Sequence, residues 1–244
     1  MYRRGVGNVT NLETVKDWML ASNNTVILTG AGMSTESGVP DFRSASGWWT
    51  KTDPQQVATV EALNSNYSLF HEFYSLRIRL LEKCSPHKGH DILAEWEKRG
   101  LIHSVATQNV DGFHIQAGNK EVDELHGSIH TIRCQSCGDS ASKEQFLNKE
   151  SCDCGGKLRP NIVLFGETLP EDTWMKALAN MKAADLVIVI GTSLEVYPVN
   201  QLPFMTNGKT VYINKDVQNY SAFDCVIQGS AKEILSNLND LLLK

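Results

Sequence analysis

Apolar residues recur along this chain in two rhythms, one helical and one strand-like, and the two alternate. Leu12, Val15, Trp18 and Met19 fall on one face of a first helix, for which Thr10-Asn11-Leu12-Glu13 reads as a capping box. Val26-Ile27-Leu28-Thr29 follows as an apolar run of strand length. Leu69, Phe70, Phe73, Leu76, Leu80 and Leu81 keep helical spacing, and so do Ile92, Leu93 and Trp96 within 87–99, where Gly100 stops the helix. Residues 101–106 read as the next strand, 159–167 as a strand with a loop at its end that returns to the same main sheet, and 170–181 as a helix. Leu186 to Ile190 is continuous and aliphatic, the mark of a parallel strand covered on both faces. Residues 210–213 and 225–227 are further strands, and Ile234, Leu235, Leu238 and Leu242 line the inner face of a closing helix that begins near Ala231. Helix and strand alternating in this way predict an α/β fold built on a doubly wound parallel sheet.

Between the periodic segments lie the residues with chemical potential. The first strand runs into Gly30-Ala31-Gly32, where backbone amides at the end of a buried strand can approach a phosphate, although Thr35 stands where a full dinucleotide fingerprint has a third glycine. Pro40-Asp41-Phe42-Arg43 then sets a rigid proline, an acid, an aromatic ring and a guanidinium close behind, which suits a loop folding over a flat, charged ligand. Residues 44–65 read as irregular, and a connection of that length suits a mobile cofactor loop. The second strand ends in Thr107-Gln108-Asn109-Val110-Asp111-Gly112, whose amides and carboxylate suit ribose hydroxyls or a carboxamide, or else make a polar turn. A second cradle, Gly191-Thr192-Ser193, ends the aliphatic strand, and Asn214 ends the next.

His126 is a candidate for proton transfer near neutrality, with Gly127 behind it to admit a substrate, and equally a structural histidine by type alone. Tyr74 and Arg77 lie three apart on one helical face, a pairing that is ordinarily solvated surface.

Composition narrows the classes. A chain of 244 residues with 41% hydrophobic content and net charge -5 is globular and carries no polyelectrolyte footprint, so direct nucleic-acid binding is not expected. Met1 to Gly5 opens no signal peptide and the longest apolar runs are strand-sized, so neither export nor membrane spanning is indicated and the cytoplasm is the default. Of six cysteines, Cys134, Cys137, Cys152 and Cys154 fall within 21 residues. Four thiolates at knuckle spacing predict one closed, structural zinc site holding together an insert at 129–158, with Cys84 and Cys225 as buried small apolar residues.

Taken together, the 30–43 run, Thr107-Gln108-Asn109-Val110-Asp111, Glu124-Leu125-His126-Gly127, the four cysteines, Val163-Leu164-Phe165-Gly166-Glu167 and Gly191-Thr192-Ser193 resemble the sirtuins, NAD-dependent protein deacylases of the bacterial, zinc-containing type. The resemblance covers nearly the whole chain. It implies a Rossmann-like NAD-binding domain at 1–128 and 159–244, with a helical cofactor-loop insert at about 44–85, and a zinc module at 129–158. By resemblance, Ala31, Thr35, Phe42, Arg43, Gln108, Val110, Asp111, His126, Thr192, Ser193, Asn214 and the backbone near Ala231 contact NAD, with Asp111 on the nicotinamide carboxamide. Asn109 is placed like the catalytic amide beside the nicotinamide ribose, and His126 like the general base acting on a ribose hydroxyl.

Val163, Phe165 and Gly166 would line the substrate channel, and the residues around Glu195 and Val196 would pair with the substrate backbone as an added strand. Departures are mild: Val110 for a common isoleucine, Asn161 for a common aspartate, and the tight spacing of Cys152 and Cys154. The activity so implied is removal of acetyl groups from lysines of protein segments, giving nicotinamide, O-acetyl-ADP-ribose and free lysine. Tyr74 and Arg77 match a pattern that binds acidic acyl groups in some relatives, which makes desuccinylation or demalonylation an alternative beside longer-chain deacylation. ADP-ribosyl transfer to protein and a non-catalytic NAD-binding module are further alternatives; the second would be expected to lack His126 or Asn109. Target protein, acyl preference and oligomeric state are not legible in the sequence.

Overall fold

The computed structural model describes residues 6–217 and 222–243, with the side chains of 6–10 left out. The leading Met1 to Gly5 and the side chain of Thr10, on which the expected capping box depends, therefore lie outside the described residues; the helix backbone, α1 (Val6–Ala21), begins ahead of Thr10. It is followed by β1 (Thr25–Thr29), α2 (Pro54–Val57), α3 (Val60–Ser65), α4 (Tyr67–Leu81), α5 (Lys88–Lys98), β2 (Ser104–Thr107), α6 (Phe113–Ala117) and β3 (Val122–Glu124). Then come β4 (Gly127–Cys134), β5 (Ser140–Ala141), α7 (Lys143–Leu147), β6 (Leu158–Ile162), α8 (Glu171–Ala183), β7 (Leu186–Ile190), β8 (Lys209–Asn214), β9 (Cys225–Gln228) and α9 (Ala231–Leu242).

Six strands form one parallel sheet in the order β3-β2-β1-β7-β8-β9. The chain starts in the middle, grows outward through β2 and β3, and then crosses to the other side of β1, so the direction of winding reverses between β1 and β7. In open sheets that reversal opens a crevice beyond the carboxyl ends of the strands. Residues on the central strands alternate between two cores: Ile27, Ile188 and Ile190 join α1, α5 and α9 on one face, while Val26, Leu28, Val187 and Val189 join α8 on the other. Both faces are covered, which is why these strands read as unbroken apolar runs.

The second lobe corrects two expectations. Residues 44–65 are not irregular throughout. Asp53 accepts from the Gln55 amide at 2.9 Å and Pro54 opens α2, while Thr59 Oγ1 accepts from the Ala62 amide at 3.0 Å and caps α3. The strand at 158–162 does not return to the main sheet. It pairs antiparallel with β4, Cys134 opposite Leu158 and Gly127 opposite Ile162, in a separate sheet ordered β5-β4-β6. The cause is the cysteine turn: the chain that leaves Cys154 lies beside the chain that entered through Cys134. This small sheet has no core of its own. Ile129, Ile132, Phe146, Leu158 and Ile162 pack into one apolar cluster with Val57, Leu63, Phe70, Phe73 and Ile78 of the helices α2 to α4.

Candidate active site and cysteine cluster

A cavity of about 1190 Å³ opens where the winding reverses, between the carboxyl edge of the sheet and the second lobe. Pockets for a single small ligand are typically ~300–1,000 Å³, so this one has room for a dinucleotide and part of a second ligand. No helix among the described residues is long and apolar enough to cross a membrane.

Its floor is made by the loops after β1 and β7, and here the structure reverses the expected role of two glycines. The Gly30 amide donates to the Ile190 carbonyl at 3.1 Å and the Gly32 amide to the Gly191 carbonyl at 2.7 Å. A Cβ on Gly30 would lie 2.5 Å from the Thr192 side chain, and one on Gly191 would lie 2.4 Å from the Met33 amide nitrogen. These glycines therefore let the two loops close on each other; they do not hold amides free for a phosphate. Ala31, at the head of a short 3-10 turn, lines the cavity between them.

The loop after β2 supplies the polar wall. Asn109 is buried, and its Nδ2 donates to the Gly30 carbonyl at 3.0 Å and to Ser34 Oγ at 3.1 Å. Ser34 in turn donates to Asp111 Oδ2 at 2.7 Å, and the Phe113 amide donates to Oδ1 at 3.0 Å. Burial raises the Asp111 pKa, opposed by the Ser34 hydroxyl and the Phe113 amide. Gln108 Nε2 donates to Thr192 Oγ1 at 2.9 Å, which ties the loops after β2 and β7 together.

His126 stands between β3 and β4. Its Nδ1 lies 3.0 Å from the Gln108 carbonyl oxygen, which can only accept, so Nδ1 carries the proton and Nε2 keeps a lone pair. Burial lowers its pKa, partly opposed by that hydrogen bond, so the ring is neutral at physiological pH. The glycine after it does not make room for a substrate: Gly127 has φ 73°, and a Cβ there would fall 2.2 Å from the Asn161 carbonyl oxygen of β6.

The opposite wall comes from the second lobe and the loop after β7. Val163, Phe165, Gly166 and Val196 line the cavity, as do Tyr74 and Arg77. The last two are not solvated surface. Tyr74 is only 2% exposed, and the Arg77 guanidinium lies 5.3 Å from the Phe42 ring centre, 6.0 Å from that of Trp48, 5.7 Å from Phe73 and 5.6 Å from Tyr74. At the mouth, Arg43 Nε pairs with Glu195 Oε2 at 2.7 Å, so the expected cofactor loop and the expected substrate loop are already in contact.

Every site residue expected around NAD or the acyl-lysine lines this cavity except Ala231. Ala231 is buried at the start of α9, where Glu36 accepts from Ser230 Oγ at 2.9 Å and from the Lys232 amide at 2.8 Å. Asn214 lines the cavity with its Nδ2 on Tyr212 Oη at 2.7 Å. Sequence reasoning gave no role to Ser34, which joins Asn109 to Asp111; a small hydroxyl two residues after Gly32 was the available signal.

The four cysteines form the second centre. Their Sγ atoms all lie within 4.8 Å of one another, with Cys134 to Cys154 at 3.5 Å, Cys137 to Cys152 at 3.6 Å and Cys137 to Cys154 at 3.5 Å, and none is in a disulfide. Zinc–sulfur bonds of ~2.3 Å in a tetrahedron put sulfurs about 3.8 Å apart, so the set fits zinc. A Cβ on Gly156 would lie 2.6 Å from Cys134 Sγ, and Gly155 turns with φ 80°, which is how one intervening residue suffices between Cys152 and Cys154.

Comparison with known proteins agrees with this geometry. The family model described as the Sir2 family matches residues 30–198. The NAD-dependent protein deacetylase of Oceanobacillus iheyensis is 51% identical over 86% of this chain and 91% of its own length. NAD-dependent protein deacetylase 1 of Geobacillus kaustophilus is 49% identical over 94% and 98%, and NAD-dependent protein deacylase 1 of Caldanaerobacter subterraneus subsp. tengcongensis is 42% identical over 83% and 86%. Among solved structures, a Sir2 complex with a deacetylated peptide and 3'-O-acetyl-ADP-ribose superposes with TM-score 0.90 at 34% identity, covering 94% of this chain and 98% of that one. This chain belongs to the Sir2 family, the sirtuins.

Proposed function

We infer that the chain is an NAD-dependent protein-lysine deacetylase, with the dinucleotide in the cleft of the large sheet, an acetyl-lysine segment between Val163–Gly166 and Glu195–Val196, and zinc on the four cysteines. The observation that carries this reading is the state of His126: its Nδ1 proton is tied to the Gln108 carbonyl, and its other nitrogen is left basic beside a cavity that has room for both ligands. Names of close relatives and the ligands of related complexes support it.

Bound NAD supplies an electrophilic ribose carbon and, through its hydroxyls, the acceptor for the acyl group. His126 Nε2 accepts the proton of such a hydroxyl. Asn109, held by its amide nitrogen, has its carbonyl oxygen left to orient a sugar hydroxyl or water. Asp111, backed by Ser34, holds a carboxamide. Phe42, tilted against Trp49 with ring centres 5.0 Å apart, screens the reacting atoms from water. We divide the chain functionally as 1–128 with 159–244 for the dinucleotide and 129–158 for the metal, and place the protein in the cytoplasm, where four reduced thiols keep a metal.

A second reading concerns the acyl group. Arg77 brings a guanidinium into an otherwise aromatic wall of the cavity, which favours succinyl or malonyl lysine as additional substrates. The test of both is incubation with NAD and acetyl-, succinyl- and longer-acyl-lysine peptides, with products identified by mass. Acetyl loss with O-acetyl-ADP-ribose is the expected result. ADP-ribose attached to protein, or NAD bound with no peptide changed, would refute it.

A further inference from the structure

Arg159 is the one arginine of the second lobe that is fully enclosed, at 0% exposure, and charges in such places persist when they are paired. Its Nη1 donates to Gln135 Oε1 at 3.1 Å, and its two terminal nitrogens hold both oxygens of Glu167, at 2.5 Å and 3.0 Å. Its Nε donates to the Pro160 carbonyl at 3.2 Å. The partners on the two sides are unrelated in kind. Gln135 lies between Cys134 and Cys137, with its amide fixed to the Lys157 carbonyl at 2.9 Å. Glu167 Oε2 accepts the Leu164 amide at 2.8 Å, within the run that forms the acyl-lysine wall. That run has three other supports: the Val163 amide on the His126 carbonyl at 2.8 Å, the Phe165 amide on the Ala58 carbonyl at 2.9 Å, and the Phe165 carbonyl under the Val60 amide at 3.3 Å. One of its four backbone anchors therefore leads, through a buried guanidinium, to the sulfur cluster.

We propose that Arg159 and Gln135 are positioning residues that make the acyl-lysine groove depend on the metal knuckle. A filled knuckle holds Gln135 still, Gln135 and Glu167 orient Arg159 together with the Pro160 and Ile162 carbonyls, and Glu167 holds Leu164. On the dinucleotide side Ala31, Gln108 and Thr192 hang from β1, β2 and β7, and Val110 and Asp111 meet β4 only toward its far end from Cys134, through the Ile129 amide at 3.0 Å and His130 Nε2 at 2.8 Å. Disturbing the knuckle then weakens peptide binding and spares the dinucleotide. This inference rests on reading Val163–Gly166 as the peptide groove.

The test is Gln135→Leu, close in size, without the acceptor oxygen and with all four cysteines retained. Four properties are compared with wild type: zinc content by elemental analysis, ADP-ribose affinity by calorimetry, affinity for a fluorescent acetyl-lysine peptide by anisotropy, and hydrogen exchange at the Leu164 amide. Expected are unchanged zinc, ADP-ribose affinity within about twofold, peptide affinity weakened about tenfold (~1.4 kcal/mol) and faster exchange at Leu164. Gln135→Glu, which keeps an acceptor, restores peptide affinity, and Glu167→Gln weakens it as Gln135→Leu does. Peptide bound equally by wild type and Gln135→Leu, or ADP-ribose affinity falling in parallel, would overturn the proposal alone. A wild-type protein that binds acetylated and unmodified peptide alike would overturn the groove itself and the proposal with it.

Discussion

His126 gives its Nδ1 proton to the Gln108 carbonyl across 3.0 Å, and that bond decides which ring nitrogen meets the cavity. The Gln108 amide is itself anchored to the Thr29 carbonyl at 3.0 Å, so the tautomer is set by the end of a central strand. Because burial lowers the His126 pKa, the ring loses its basic nitrogen only when pH falls below the ordinary imidazole value of about 6.5. The acid limb of kcat/KM, which reports the free enzyme, is expected below pH 6.5. His126→Ala is expected to abolish deacylation while metal content and melting temperature stay near wild type. An acid limb above 7 would show that the wrong group was assigned.

Stability has its own acid dependence, carried by rings the reaction does not use. His90 is fully buried, 4.5 Å from the His87 ring centre and 5.0 Å from that of His114. Burial, with the two neighbouring imidazoles, lowers the His90 pKa to about 2, and burial with His87 lowers that of His114 to about 4. The unfolded chain takes up these protons near pH 6.5, so the stabilisation is complete above that value. It drains away as pH falls toward 4 for His114 and 2 for His90, at about 1.4 kcal/mol per pH unit for each ring. Urea unfolding at pH 7.5, 6 and 5 measures it; a midpoint that does not move would contradict the assignment.

Gly127→Ala separates two explanations of one glycine. With φ 73° and a 2.2 Å clash against the Asn161 carbonyl, the variant should lose on the order of 1–3 kcal/mol of stability or more. A variant with a normal melting temperature and only a raised peptide KM would restore the view that Gly127 admits the substrate.

Arg77→Met removes the charge and keeps the bulk among Phe42, Trp48 and Phe73. Acetyl-peptide turnover is expected within a few-fold of wild type, and succinyl-peptide turnover should fall by about tenfold or more, as expected for losing a charge-assisted hydrogen bond of 1.5–3 kcal/mol. Equal losses on both substrates would make Arg77 a packing residue.

Stripping the metal with a chelator should free four thiols to a colorimetric reagent and lower the melting temperature of the second lobe, because its small sheet has no separate core. The large sheet should retain its circular dichroism signal. Thiols that stay unreactive after chelation would argue against a metal on these residues.

Much of this was written in the sequence, for identifiable reasons. Gly30, Gln108, Asn109 and Thr192 were found because strand ends in a doubly wound sheet are where ligands collect, and the strands before them are unbroken aliphatic runs. What failed needed partners that a linear pattern does not encode. Nothing in Leu158 to Ile162 says that it pairs with β4 and not with the main sheet. The ring cage around Arg77 is assembled from Phe42 and Trp48, far away in the chain. Gly30 and Gly127 were correctly seen as places of close approach, but the body approaching each is another stretch of this chain. β3, with three residues, is too short to register a period.

The apolar cluster shared by α2–α4 and the cysteine-bearing sheet has a consequence for engineering. Two insertions separated by dozens of residues solidify as a single body, so neither can be transplanted from a relative by itself. A chimera that exchanges only the metal segment would set foreign side chains against Phe70 and Phe73, whereas one that exchanges both should inherit the donor's choice of acyl chain intact.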